Sequence, residues 1–309
     1  MICDLETRVW ASPMQLGDAI ANALRRPRTE VRLQGTPYDA GHEEAHVAAM
    51  RPVARAFVLG FRSVMLGAEI SNEYVAQVTR RRADRLVAVA GIDPMAPSWH
   101  DDLDRAIANG HVAVTVSPAC QGYPPSHSAA MLLWEACAER RLPVIVSKPG
   151  TLPAPASLEC DRPLLWDEPL RAIPELTLVF AGLGAPFVEE TLVLLAKHER
   201  TFASLAGAAR RPIDAYRWLL AAHDAGVSER LLFASGFPFD TPASALERLY
   251  TLNALVLGTT LPGIPRRDIE RIVERNAFDA LGIRDPIAHQ PAGDQVALLA
   301  AARSLLSDR

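Results

Sequence analysis

Two charged residues stand two positions apart near the start of the chain. They are Glu6 and Arg8, in the run Met-Ile-Cys-Asp-Leu-Glu-Thr-Arg-Val-Trp over residues 1–10. Alternate residues of a strand project to one face, so carboxylate and guanidinium share a side at the end of an otherwise apolar segment. Charge in such a place is costly unless it is paired or used. Two chemistries follow: a salt bridge that plugs the site, or an anion pocket in which Arg8 takes a carboxylate or phosphate. Lys148, in Ser-Lys-Pro-Gly after another apolar run, is a second cation of this kind. Three readings stay open for it: an electrostatic clamp, a desolvated amine able to form a Schiff base, or a solvated surface residue.

The remaining candidates are weaker. Ser147 has no adjacent histidine to act as base, which argues against a nucleophile. Cys120, in Pro-Ala-Cys-Gln-Gly-Tyr, reads as pocket lining. Asp240, after Phe-Pro-Phe, reads as a turn or cap residue, with general-base chemistry as the alternative. His42 and His46 stand at i and i+4 in His-Glu-Glu-Ala-His and would share a helix face. The order differs from the His-Glu-x-x-His pattern of metal-binding helices, so no metal is expected there.

These side chains need a scaffold, and the hydrophobic pattern names one. Eight short apolar runs, at 1–5, 54–59, 86–92, 112–116, 143–146, 176–181, 201–205 and 231–234, read as strands. Several are apolar throughout, as strands covered on both faces are. Amphipathic stretches at 72–82, 100–109, 128–141, 186–198, 212–225, 242–255 and 265–281 alternate with them. Ser71 and Thr241 are placed as N-caps, and Gly110, Gly226 and Gly282 follow helix ends. Eightfold strand–helix alternation predicts an α/β fold, a (β/α)8 TIM barrel. No GxGxxG follows an early strand, which argues against an open dinucleotide-binding sheet. Residues 15–50 are extra and include a predicted helix over 39–50. A tail over 284–309, with a polar linker (285–294) and a short helix (295–306), is expected to pack on the barrel formed by 1–283.

The chain has 309 residues, 49% of them hydrophobic and 22% charged, with a net charge of -4. That balance suits a soluble domain and argues against nucleic acid or an anionic membrane as partner. No apolar run reaches a membrane span and no secretory signal opens the chain, so a cytoplasmic location is expected. Cys3, Cys120, Cys137 and Cys160 form no CxxC pair and read as free thiols.

The strand ends carry a resemblance. Residues 4–10, Ala-Gly-Ile-Asp-Pro at 90–94, Leu-Pro-Val-Ile-Val at 142–146, the run 176–190, Leu-Leu-Phe-Ala-Ser-Gly-Phe-Pro at 231–238 and the stretch 276–283 resemble the amidohydrolase-related family. Its members are metal-dependent hydrolases and decarboxylases of the amidohydrolase superfamily. The resemblance implies a site at the C-terminal ends of the strands. It also implies a divalent ion held by His-x-His after the first strand, a His after the fifth, commonly a His after the sixth, and an Asp after the eighth. Those positions here are Glu6, Arg8, Ser147, Gly182 and Gly236. Gly182 stands in Phe-Ala-Gly-Leu-Gly where His-Leu-Gly is usual, and Gly236 in Ala-Ser-Gly-Phe-Pro where Gly-Ser-Asp-Phe-Pro is usual.

One carboxylate beside a fixed cation cannot hold a catalytic divalent ion, so no metal or other cofactor is expected. The expectation is a pseudoenzyme that binds a small anionic molecule or pairs with an intact relative. The alternative is a metal-independent lyase, decarboxylase or acid–base enzyme using Glu6, Arg8 and Lys148; an ordinary hydrolase ranks third. Gly182, Ser235 and Gly236 are expected to line the pocket with the residues above, the glycines leaving space where ligands would stand. Self-association through the 39–50 helix or the tail helix is one role for the added segments; the tail capping its own barrel is the other.

Overall fold

Each apolar run becomes a strand because the barrel covers both of its faces. A computed structural model describes residues 1–25 and 41–286. Its strands are β1 (Cys3–Thr7), β2 (Arg55–Leu59), β3 (Phe61–Ser63), β4 (Ala68–Ile70), β5 (Leu86–Gly91), β6 (Ala113–Val116), β7 (Val144–Val146), β8 (Leu178–Phe180), β9 (Thr201–Ser204) and β10 (Leu231–Leu232). Eight of them pair in parallel in the order β1-β2-β5-β6-β7-β8-β9-β10. The first and last meet through Leu5 N–H to Phe233 O (3.1 Å), Gly236 N–H to Glu6 O (3.1 Å) and Arg8 N–H to Phe237 O (3.0 Å). These contacts bring the sheet round to a nearly closed barrel, with helices between the strands.

Period-two alternation sorts the strand residues. Phe57 and Leu59 face the barrel interior, with Val87, Val89, Ile145 and Val179, while Ala56 and Val58 face the helices. Ala277, Phe278 and Leu281 close the N-terminal end of the barrel, Phe278 lying 5.1 Å from Phe57 between ring centroids.

Several expectations are corrected. The extra segment after β1 also holds a 3-10 turn (Pro13–Leu16) and a helix (Gly17–Arg25). The helix expected over 39–50 is Glu43–Ala49, with residues 39 and 40 outside the described residues. An antiparallel hairpin, β3 with β4, follows β2; it is too short to leave a periodic signal. The expected helix over 265–281 is two, Arg266–Glu274 and Ala277–Leu281. Arg275 turns extended between them, and the Asn276 side chain accepts Phe278 N–H at 3.1 Å, capping the second. Asn276→Ala should cost about 1 kcal/mol, read from the urea midpoint; no change would mean that packing of Phe278 alone sets this helix. Similarly, 242–255 divides into a helix (Pro242–Tyr250) and a 3-10 turn (Leu252–Val256). The tail helix expected at 295–306 lies outside the described residues. Among the described residues, no helix is long and apolar enough to cross a membrane.

Candidate functional site

The inward-facing set of β1 changes parity midway. Cys3 and Leu5 belong to the barrel-interior cluster, yet Glu6 and Arg8 line the cavity at its mouth. The pairing register with β2 shifts between Asp4 and Thr7, a bulge that re-aims the strand end. Thr7 consequently points outward: its hydroxyl donates to Phe57 O (2.7 Å), and His46 Nε2 lies 2.9 Å from Thr7 Oγ1 in a hydrogen bond. Asp4 faces the segment after β10, where its carboxylate accepts Ser235 Oγ–H (2.5 Å) and Ser235 N–H (2.9 Å).

Glu6, Arg8 and Ser147 form a closed triangle. Arg8 Nη1 donates to Glu6 Oε1 at 2.9 Å and Arg8 Nη2 to Ser147 Oγ at 2.6 Å, while the Ser147 hydroxyl donates to Glu6 Oε1. Glu6 is 4% and Arg8 2% exposed, so the pair is withdrawn from water. Glu6 Oε2 and Arg8 Nε are buried without a hydrogen-bond partner among the described residues.

Above the triangle lies a cavity of about 330 Å3. Its charged lining is Glu6, Arg8, Lys148, Arg210 and Arg211, and its aromatic walls are Trp218 and Phe239. Lys148 is neither a solvated surface residue nor a free amine. Its Nζ pairs with Asp161 at 2.7 Å and donates to the Ala185 carbonyl, tying the loop after β7 to that after β8. Arg210 Nη1 donates to Phe239 O at 3.2 Å. Arg211 lies 5.2 Å over the Trp218 ring and 3.3 Å from Asp214.

Gly182 and Gly236 also line the cavity, but they are not simply cleared positions. Their φ values are +59° and +77°, and a Cβ would stand 3.0 Å from Ala206 O at Gly182 and 3.2 Å from Gly207 N at Gly236. The left-handed backbone and the close Ala206–Gly207 turn favour glycine at both places.

Four expected lining residues lie elsewhere. Cys120 is fully buried in the hydrophobic core, where burial pushes its thiol up to about 11. Ser147 sits behind Arg8 and Glu6 in the triangle. Ser235 is held under the mouth by Asp4. Asp240 pairs with Arg248 at 2.6 Å and caps Thr241 N–H, and burial raises its carboxyl above the usual range. His42 and His46 do not share a site. His42 is exposed and its ring accepts Ala45 N–H, whereas His46 is buried edge-on to Phe237, its ring pushed down to about 4 by burial. The mouth residues that the sequence reading passed over are Arg210, Arg211, Trp218 and Phe239. A paired Arg-Arg directly before a Pro-initiated helix, on a strand-to-helix loop, is the signal that marks the first two.

Comparison with known proteins follows this geometry. A family model described as amidohydrolase matches residues 10–283. An uncharacterized TIM-barrel protein from Bordetella bronchiseptica superposes with a TM-score of 0.71 at 21% identity, over 91% of this chain and 98% of that one. A 5-carboxyvanillate decarboxylase from Novosphingobium aromaticivorans, solved with manganese, gives 0.65 at 12% identity, over 92% of this chain and 96% of that one. A probable 2-pyrone-4,6-dicarboxylic acid hydrolase from Acinetobacter baumannii, solved with citric acid, gives 0.61 at 12% identity, over 91% and 99%. At these identities the likeness is one of fold. No curated protein matches the chain.

Proposed function

The chain belongs to the amidohydrolase family, and from that premise we propose a barrel that binds a small organic anion without a metal ion and no longer performs the family's hydrolysis. The observation that carries the reading is the cavity lining, with four cationic side chains against the single carboxylate of Glu6. Guanidinium and ammonium groups in a partly dry pocket favour carboxylates and phosphates.

The residues at the family's ligand positions do not fit a divalent ion. Glu6 is the one carboxylate among them, and its Oε1 already accepts from Arg8 and Ser147. A guanidinium has no lone pair to give, and its charge repels a cation. Glycines at 182 and 236 have no donor side chain. Among the described residues, no group of three or more His, Cys, Asp or Glu is placed to hold a metal. The Lys148 ammonium, between Asp161 and the Ala185 carbonyl, suits a fixed positive charge better than a Schiff-base amine.

Metal analysis and thermal unfolding test the reading together. Protein dialysed against zinc or manganese should retain far less than one equivalent. Benzoate or propionate at about ten times its Kd should add about 1.4 kcal/mol, a rise in Tm of a few °C. One equivalent of tightly bound metal with EDTA-sensitive turnover would restore the hydrolase and remove this proposal.

A further inference from the structure

We infer that Arg211 takes the carboxylate of the bound anion on its Nη1–Nη2 edge, and that Asp214 competes with the ligand for that guanidinium. The inference deepens the anion-binding reading above and rests on it.

The argument turns on what already holds three of the cavity cations. Arg8 gives Nη1 to Glu6 and Nη2 to Ser147, and all three side chains are buried. The Lys148 ammonium lies 2.7 Å from buried Asp161 and donates to the Ala185 carbonyl. An anion arriving at either cation must share donors with partners that burial keeps in place. Arg211 is held differently. Its Nε stands 3.3 Å from Asp214, and its two Nη groups have no hydrogen-bond partner among the described residues. The two side chains of this pair are 52% and 32% exposed, and an ion pair so open to water is worth little. A carboxylate can dock on the open edge through two parallel N–H···O bonds, and no buried contact breaks.

Local structure brings this guanidinium to the cavity wall. Arg211 stands between the 3-10 turn Ala208–Arg210, which follows β9, and the helix Pro212–Asp224. Its backbone is fixed, with its N–H donating to Ala208 O at 3.1 Å and its carbonyl accepting Ala215 N–H at 2.8 Å. The Trp218 ring, itself part of the lining, lies 5.2 Å from the guanidinium carbon and steadies it by cation–π attraction. Arg211 thus combines an anchored base with an unclaimed pair of donors. Ala181, Ala185 and Ala206 contribute small side chains to the same lining, which leaves room for a ring-sized ligand body. Arg8 adds positive field from below without giving up its own bonds.

Calorimetric titration with benzoate tests this, in a buffer that contains EDTA and no other carboxylate or phosphate. Arg211→Gln removes the charge and the fork at an exposed place. It should weaken benzoate about tenfold or more and leave the urea midpoint of the free protein unchanged. Asp214→Asn removes the competitor and should tighten benzoate about threefold. A merely structural role for the pair would give weaker binding in both variants, so the opposite signs are the signature. Benzoate affinity within about twofold of wild type in Arg211→Gln would overturn the inference and leave the anion-binding reading standing. Weaker binding in folded Asp214→Asn would also overturn it. Failure of both benzoate and propionate to bind the wild-type protein at about 20 mM would remove the anion-binding reading, and this inference with it.

Discussion

Arg8→Met should destabilise the protein by about 3–5 kcal/mol, the largest loss expected from any single change at the mouth. The guanidinium supplies two of the three hydrogen bonds in the Glu6–Arg8–Ser147 triangle. Methionine fills much of the same volume, so the effect isolates charge from packing. What remains is a carboxylate that is 4% exposed with no cation beside it. Urea unfolding at neutral pH measures the loss. Glu6→Gln/Arg8→Met removes both charges and should recover a large part of it, because an uncharged pair in a buried place carries no desolvation debt. A loss below about 1 kcal/mol for Arg8→Met would mean that the pair is worth no more than a surface salt bridge. The recovery in the double variant distinguishes a closing salt bridge from a residue kept for its ligand. Stability can return there while anion binding does not.

The second large effect is a pH dependence concealed by cancellation. Asp4 is fully buried, and burial raises its carboxyl to about 7 against the hydrogen bonds from Ser235 and Glu6 N–H. Its folded value lies above the unfolded one, so its contribution to stability is full below about pH 4 and is lost as pH rises toward 7. His46 runs the other way. Burial lowers its ring to about 4, so its contribution is full above about pH 6.5 and is lost as pH falls through 4. Between about pH 4 and 6.5 the native state holds one extra proton on Asp4 and one fewer on His46, and the two slopes oppose. Asp4→Asn preserves acceptors for Ser235 and Glu6 N–H and should expose the His46 slope, with stability rising as pH rises. His46→Gln retains a donor for Thr7 and should expose the Asp4 slope, with stability falling by on the order of 4 kcal/mol from pH 4 to 7. Burial also raises the carboxyls of Asp93 and Asp161. The slopes are therefore read as differences from the wild-type protein. Parallel curves for wild type and both variants would show that neither group titrates differently on folding.

Both predictions hang on β1, and β1 shows where sequence reading succeeds and where it stops. Strand–helix alternation, the apolar runs and the family motifs were sufficient for a (β/α)8 barrel, because each strand is buried on both faces and each helix must cover one. The same-face placement of Glu6 and Arg8 follows from the two-residue period of a strand, and the replaced ligand types at 147, 182 and 236 are matters of residue identity. Those features are local, so the sequence alone determines them.

The bulge between Asp4 and Thr7 is different. It turns Glu6 and Arg8 inward after Leu5 has already faced in, and strand pairing creates it, not residue pattern. Cys120 lies in a short helix (Pro118–Gln121) and Asp240 on a loop; the direction of each depends on what it packs against, and both turn away from the cavity. The Arg8–Ser147 hydrogen bond joins residues 139 positions apart, and the Lys148 ammonium meets Asp161 and the Ala185 carbonyl only when the loops after β7 and β8 close together. Partner choice among many carboxylates and carbonyls is decided by distance after folding. The residue types at the barrel mouth were therefore legible in the sequence, whereas their pairing into a closed triangle beneath a cation-lined cavity was decided by the tertiary structure.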